Sequence, residues 1–243
     1  MTIAIVGATG LVGRTMLRVL EERAVPCDRL RLFASGRSAG TVVATNLGDV
    51  AVEQLEGADL VGINIALFSA GGGISRDWAR QFVAAGAVVI DNSSYWRMDP
   101  DVPLVVPVVN AHDALQHKGI IANPNCSTIQ LVVALWPLQH AVGIRRVVVS
   151  TYQSVSGAGQ QGVDHLTDEL AGRQPSARNS SHPLAFNTVF HTIGAQDGAS
   201  EEEIKMMRET RRIMHLPDLR MAVTCVRVPV LGGHGESVAI ETM

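Results

Sequence analysis

The sequence predicts an α/β protein with a Rossmann-like, doubly wound parallel sheet domain followed by a second, α+β domain. Three observations predict it. Short β-branched runs alternate with helical patterns through the first half, a glycine-rich turn follows the first run, and the texture changes after Cys126. The expected domains are therefore residues 1–126 and 127–243.

The first strand is expected over residues 2–6, followed by a helix over 11–22 with Val12, Met16, Val19 and Leu20 on one face, and a second strand over 30–34. Apolar runs at 65–69, 88–90, 104–106 and 120–122 extend the series, with helical patterns at 75–85 and 111–117 between them. Beyond Cys126 come a helix over 128–140, a β-rich run over 146–155, a helix over 162–170 and a polar loop over 172–181. A helix over 201–214 and an alternating strand over 221–230 follow. Residues 236–243 alternate like a strand in progress with no closing turn or cap, so the second domain is expected to be truncated at the C-terminus.

A chain of 243 residues with 47% hydrophobic content has material for a large core. Its net charge of -3 and the lack of any basic run argue against nucleic-acid or anionic-membrane partners and for small molecules. The chain has no apolar stretch of membrane-spanning length, and its first strand runs straight into a glycine turn without a charged leader; a cytoplasmic location is expected. Cys27, Cys126 and Cys225 are too few and too scattered for a disulfide framework, and no cysteine pair suggests a metal site.

The turn Gly7-Ala8-Thr9-Gly10-Leu11-Val12-Gly13 lies where a dinucleotide pyrophosphate would meet the N–H groups of a helix N-terminus. The second strand ends without the carboxylate that would bind a ribose 2′-hydroxyl. It leads instead into Ser35, Arg37 and Ser38, a guanidinium between hydroxyls suited to a 2′-phosphate; NADP is the expected cofactor, with an ordinary surface turn the alternative for Arg37. Ser69, Ala70, Gly71 and Gly72 form a second backbone-rich loop at the end of another strand, for the rest of the dinucleotide.

Cys126 sits in Asn123-Pro124-Asn125-Cys126-Ser127-Thr128, between an apolar strand and an apolar helix. A thiol at a helix N-terminus is biased toward thiolate, the nucleophile that acyl-phosphate or aldehyde chemistry needs. Cys27 and Cys225 read as small buried hydrophobes.

With these motifs in hand, the segments GATGLVG, ASGRSAG, LFSAGGG, DNSSYWRMDPDVPLVVP, NPNCST, YQSVSGAG, EEEIKMMRET and RVPVLGGHGES resemble, in order and spacing, the aspartate-β-semialdehyde dehydrogenase family over essentially the whole chain. The resemblance implies NADPH-dependent reduction of β-aspartyl phosphate to aspartate semialdehyde through a cysteine thioacyl intermediate, on the route to lysine, threonine and methionine. It implies Cys126 as nucleophile, His234 as general acid/base and Gln153 as the residue that orients substrate. Arg97, Lys205 and Asn92 match the phosphate site, Arg227 the residue for the substrate α-carboxylate, and Glu202 the one for its amino group. Ser156 and Gly157 join the cofactor contacts, and a homodimer built through the second domain is implied. Val108 stands where the family commonly carries an acid, and family members continue past the segment around His234. A surface ion pair is the alternative for Glu202 and Lys205, and a structural strand residue with its own carboxylate is the alternative for Arg227. The competing activities are an N-acetyl-glutamyl-phosphate reductase-like reaction and a silent nucleotide-binding protein.

Overall fold

The computed structural model describes residues 1–178, 180–194 and 198–243. The chain divides into two compact units: Met1–Val105 with Ala111–Pro124, and Val106–Asn110 with Asn125–Met243. The longer segment of the second unit thus begins at Asn125, one residue before Cys126, and that residue caps the helix that follows.

In the first unit β1 (Thr2–Val6), β2 (Arg29–Ala34), β3 (Val42–Thr45), β4 (Gly48–Gln54), β5 (Ile65–Phe68), β6 (Val88–Asp91) and β7 (Ile120–Ala122) form one sheet in the order β3-β4-β2-β1-β5-β6-β7. All neighbours are parallel except the β3/β4 pair, an antiparallel hairpin that the sequence reading did not anticipate. The outer strand β3 has no buried residue, so the hairpin lacks the strong inward face that makes a strand legible.

Helices cover both faces. On one, Met16, Leu17 and Leu20 of α1 (Leu11–Glu22) pack against Ile3, Ile5, Leu30 and Leu32. On the other, Phe82 of α2 (Gly72–Ala84) meets Phe33 of β2 and Phe68 of β5 edge-on, with ring centroids 5.9 and 5.1 Å apart. The strand order reverses between β1 and β5, which opens a crevice at their carboxyl ends.

Two expectations for this region are corrected. Residues 104–106 form no strand, only a single bridge from Leu104 to Ala122. The expected helix over 111–117 is a 3-10 segment, Ala111–Gln116, preceded by the short α3 (Pro107–Asn110). Pro103 and Pro107 explain the first: neither can donate to a ladder, and proline suits a first helical position.

The second unit contains α4 (Cys126–Val142), β8 (Ile144–Gln153), α5 (Gln160–Leu170), β9 (Val189–Phe190), α6 (Glu201–Ile213), β10 (Arg220–Arg227) and β11 (Gly235–Thr242). Its sheet runs β11-β8-β10-β9, with β8 and β10 parallel and both edge strands antiparallel. Thus β10 stops at Arg227 rather than at residue 230, and β8 spans 144–153 rather than 146–155. Residues 172–178, 180 and 181 of the expected polar loop carry no helix or strand; Asn179 lies outside the described residues. The capping box of α6 is complete: Glu203 N–H donates to Ser200 Oγ at 3.3 Å and Ser200 N–H to Glu203 Oε2 at 2.7 Å.

The glycine turn is fixed sterically. Gly7 has φ +90°, and a Cβ there would lie 2.7 Å from the Ser69 carbonyl oxygen; a Cβ on Gly13 would lie 2.2 Å from the Gly7 carbonyl oxygen. In an exposed helix interior, glycine to alanine would stabilise by about 1 kcal/mol. Here Gly13→Ala is expected to reverse that sign and destabilise by about 2–3 kcal/mol, measured as a lowered denaturant midpoint at unchanged slope, whereas an unchanged midpoint would show that α1 can move off the turn.

Candidate active site

In the first unit, Gly7, Thr9 and Gly10 of the glycine turn, Ser35 after β2, and Ser69 and Ala70 after β5 line a cleft of about 620 Å³. The two loops are held together by the sheet beneath them: Gly7 N–H donates to Phe33 O at 2.8 Å and Ser69 N–H to Val6 O at 2.8 Å. Gly10, the N-cap of α1, makes no side-chain cap bond, and the first turn carries no acid. Leu11, Val12 and Gly13 supply that turn. Its N–H groups therefore meet the requirements of an anion. Gly71 (φ +86°) and Gly72 begin α2 in the same way.

Ser38 Oγ lies 3.4 Å from Thr9 Oγ1, too long for a strong hydroxyl bond, and Arg37 is exposed with no ion pair among the described residues. Sequence reasoning missed Glu56, an acid in the cleft wall beyond β4; its position depends on the unforeseen hairpin. The residues present thus fit a dinucleotide, with apolar walls from Leu55, Ile74 and Trp78.

Arg97 and Asn92 form a cluster of their own in this unit. Arg97 is buried and donates from Nε to Asn123 O at 3.0 Å and from Nη2 to Asn92 O at 3.1 Å, while Asn123 Nδ2 donates to Asn92 Oδ1 at 2.6 Å.

The second unit gathers the remaining residues. Cys126 is the first residue of α4 and is exposed. Asn125 caps that helix, its Oδ1 accepting from Ser127 N–H at 2.9 Å and Thr128 N–H at 3.4 Å. Its own N–H donates to Glu209 Oε2 at 2.7 Å and its Nδ2 to Glu202 Oε1 at 2.7 Å, so α6 clamps the start of α4.

Cys126 Sγ lies 3.2 Å from His234 Nε2. On the ring's other side, the Ser154 backbone N–H donates to Nδ1 at 2.9 Å. A backbone amide can only donate, so Nδ1 carries a lone pair and the neutral ring holds its proton on Nε2, facing the sulfur. Burial, reinforced by the Arg227 charge and opposed by a Gly233 backbone hydrogen bond and the Glu202 charge, moves His234 below its ordinary pKa, which favours the neutral ring. In this tautomer the Nε2–H faces Cys126 Sγ and can donate a hydrogen bond to it.

Arg227 donates from Nη1 to Ser154 O at 2.6 Å and makes no ion pair among the described residues. The anionic partner considered for a structural role is therefore a carbonyl instead. Burial lowers the Arg227 pKa, against the opposing charge of Glu202. A Cβ on Gly157 would come within 2.9 Å of Arg227 Nη1, and Ser156 Oγ lies 2.9 Å from Ser154 Oγ, so Ser156 and Gly157 are packed beside this cluster. Arg227 also lines a cavity of about 450 Å³ with His191, Arg178, Ser180 and Ser181.

Gln153 Nε2 donates to Ser127 Oγ at 3.1 Å and to Glu202 Oε1 at 3.2 Å. Burial alone would raise the Glu202 pKa, but the Asn125 and Gln153 amides outweigh it and hold the carboxyl below its ordinary range. Lys205 turns to Glu201, 3.5 Å away, so Glu202 and Lys205 are not the surface pair their spacing allowed. Sequence reasoning missed Asn125, Ser154, His191 and Glu209; a capping-type residue directly before Cys126 was the one available signal.

A family model described as "Semialdehyde dehydrogenase, NAD binding domain" matches residues 2–117, and "Semialdehyde dehydrogenase, dimerisation domain" matches residues 135–243. An aspartate-semialdehyde dehydrogenase of Aquifex aeolicus is 53% identical over 99% of this chain and 73% of its own length; one of Bacillus subtilis is 48% identical over 98% and 72%. The crystal structure of aspartate semialdehyde dehydrogenase II from Vibrio cholerae, complexed with ASA, matches with TM-score 0.95 and 48% identity over 99% of this chain and 74% of that one.

The sulfur–imidazole geometry makes a direct prediction. A hydrogen bond to a charged group contributes about 1.5–3 kcal/mol, so His234→Ala is expected to slow alkylation of Cys126 near neutral pH by roughly tenfold to a hundredfold. Cys225, buried and pushed up to about 12 by that burial, should stay unlabelled in the folded protein. Peptide mapping after timed iodoacetamide treatment reads both; an unchanged rate at Cys126 would remove the thiolate role of His234.

Proposed function

Because the chain belongs to the aspartate-semialdehyde dehydrogenase family, we propose that Cys126 is its nucleophile and that the reaction is the reductive dephosphorylation of L-aspartyl-4-phosphate to L-aspartate-4-semialdehyde. The observation that carries this reading is the 3.2 Å approach of Cys126 Sγ to the protonated His234 Nε2 at the start of a capped helix. The thiolate attacks the acyl carbon, the carbon–oxygen bond to phosphate breaks, and inorganic phosphate leaves with the electron pair. A nicotinamide cofactor, when held by the glycine loops of the first unit, would supply the hydride that reduction of the resulting cysteine thioester requires. Collapse then expels the thiolate and frees the aldehyde. Through these steps the His234 Nε2–H donates first to sulfur and then to the carbonyl oxygen as charge develops there.

The other roles follow from charge and fixity. Glu202, ionised and aimed into the network, receives the substrate ammonium. The Arg227 guanidinium, anchored by one N–H, offers its remaining donors to the α-carboxylate, and Gln153 orients the acyl group. Arg97, Asn92 and Lys205 serve the phosphate. NADP is the cofactor, held by Gly7, Thr9, Gly10, Leu11, Val12, Gly13, Ser35, Arg37, Ser38, Ser69, Ala70, Gly71, Gly72, Ser156 and Gly157, and the protein is a homodimer through its second unit. Among the described residues no helix is long and apolar enough to cross a membrane.

The defining test is phosphate-dependent oxidation of aspartate semialdehyde. Cys126→Ser should abolish it while leaving nucleotide binding nearly intact, because a hydroxyl is a far poorer nucleophile than a thiolate at neutral pH; turnover by that variant would overturn the mechanism. Arg227→Lys should lose kcat almost as completely as Arg227→Leu, since one flexible ammonium cannot align a carboxylate as a planar fork does. Preserved kcat with a lowered melting temperature would assign Arg227 to the fold instead. Arg37→Ala should weaken NADPH by roughly tenfold to a hundredfold and NADH little, the loss of one charge-assisted contact. Titration of both nucleotides decides, and equal losses would place Arg37 away from the 2′-phosphate.

A further inference from the structure

We propose that His191 is a positioning residue for the reaction: it fixes the carbonyl end of the Gln153 amide next to the turn that carries Cys126. The proposal rests on the reading above, in which Gln153 orients the acyl group. His191 belongs to none of the motifs that carry the family resemblance, and its place emerges only from the fold.

The orientation of the amide is forced by its neighbours. Glu202 is ionised and can only accept, so the Gln153 atom 3.2 Å from it must be the NH₂ group, whose second hydrogen goes to Ser127 Oγ. The carbonyl oxygen then points the other way, where His191 Nε2 lies 3.1 Å from it. A carbonyl oxygen cannot donate; His191 therefore carries its proton on Nε2. Both hydrogens and one oxygen lone pair of the Gln153 amide are thus committed, which leaves a single acceptor direction open.

The backbone around His191 is arranged for this contact. The row across β8, β10 and β9 sets Gln153 opposite Arg227, and Arg227 opposite Val189. The short strand Val189–Phe190 is only two residues long, and His191 follows it directly, on the edge next to Arg227. The charged groups that act on His191 are Arg227, Glu202, Glu203 and Lys205. Burial, then the Arg227 cation, moves the imidazole below its ordinary pKa despite the two carboxylates. The lowered pKa favours the neutral ring, which adds no charge to those of Arg227 and Arg178 in the same cavity.

The test compares wild type with His191→Ala and His191→Gln, since a glutamine amide can also donate to the Gln153 oxygen. Losing one neutral hydrogen bond should lower kcat roughly three- to tenfold in His191→Ala. The Cys126 alkylation rate and the KM for nucleotide should hold at wild-type values, and His191→Gln should recover most of kcat. The side-chain amide resonances of Gln153 should shift in the alanine variant and return in the glutamine variant, whether or not the chain turns over. Unmoved resonances, wild-type kcat in His191→Ala, or a loss that His191→Gln does not restore would each overturn the proposal. A wild-type protein without phosphate-dependent activity would sink the functional reading, and the resonances would still decide the contact.

Discussion

The second unit, which carries the candidate active site, depends on how Asn125 is held. Its carboxamide oxygen caps α4, its NH₂ group donates to Glu202, and its backbone N–H donates to Glu209. Those bonds tie the first turn of α4 to α6 across 77 and 84 residues of sequence, and Cys126 is the next residue. The thiol therefore stands on the first turn of a 17-residue helix, where the helix dipole favours negative charge. A different residue at 125 would leave the start of the helix, and with it the direction of the thiol, to fraying. An N-cap contributes about 1 kcal/mol; the larger effect here is geometric, because Glu202 would lose the Asn125 side-chain donor at the same time, while the backbone N–H to Glu209 would remain.

From Asn125 the polar network spreads by rules that leave little freedom. Glu202 can only accept, which orients Gln153; Gln153 then requires a proton on His191 Nε2. Independently, the Ser154 backbone amide can only donate, which requires the proton of neutral His234 to face the sulfur. Two groups of fixed polarity, one carboxylate and one amide N–H, thus set two histidine tautomers. Buried polar networks of this kind rigidify a site when every member has a partner.

How legible this was follows the range of each interaction. The glycine turn, the strand before it and the helix after it are local patterns, and they were readable over a few residues. So was the placement of Cys126 at a helix start, since the sequence Asn-Cys-Ser-Thr carries its own capping chemistry. Arg227 was named through the family resemblance, but its partner, the Ser154 carbonyl, lies 73 residues away and carries no charge signal. Ser154, His191 and Glu209 gain their roles only from strand register and helix packing. The β3/β4 hairpin escaped for a different reason: an exposed edge has no strong inward face to produce a pattern, and it brings Glu56 into the cleft wall from a part of the chain with no motif at all.

The resting state of Arg227 bears on where binding energy is stored. A buried guanidinium is ordinarily matched by a carboxylate, since removing charge from water is costly. Arg227 has one short bond to a neutral carbonyl, and Glu202 acts on it only through space. Pairing it with an internal acid would stabilise the fold and would also compete with any ligand carboxylate. With no ion pair among the described residues and a cavity of about 450 Å³ beside it, Arg227 would be stabilised by an incoming anion, in line with the α-carboxylate role proposed for it. That arrangement favours a carboxylate over an amide or alcohol of the same shape, because only the anion offsets the desolvation that the guanidinium has already undergone. The same logic explains the neutral form of His234: a protonated ring would set a second cation against Arg227, raise the cost of the empty site and face the Ser154 N–H with another donor.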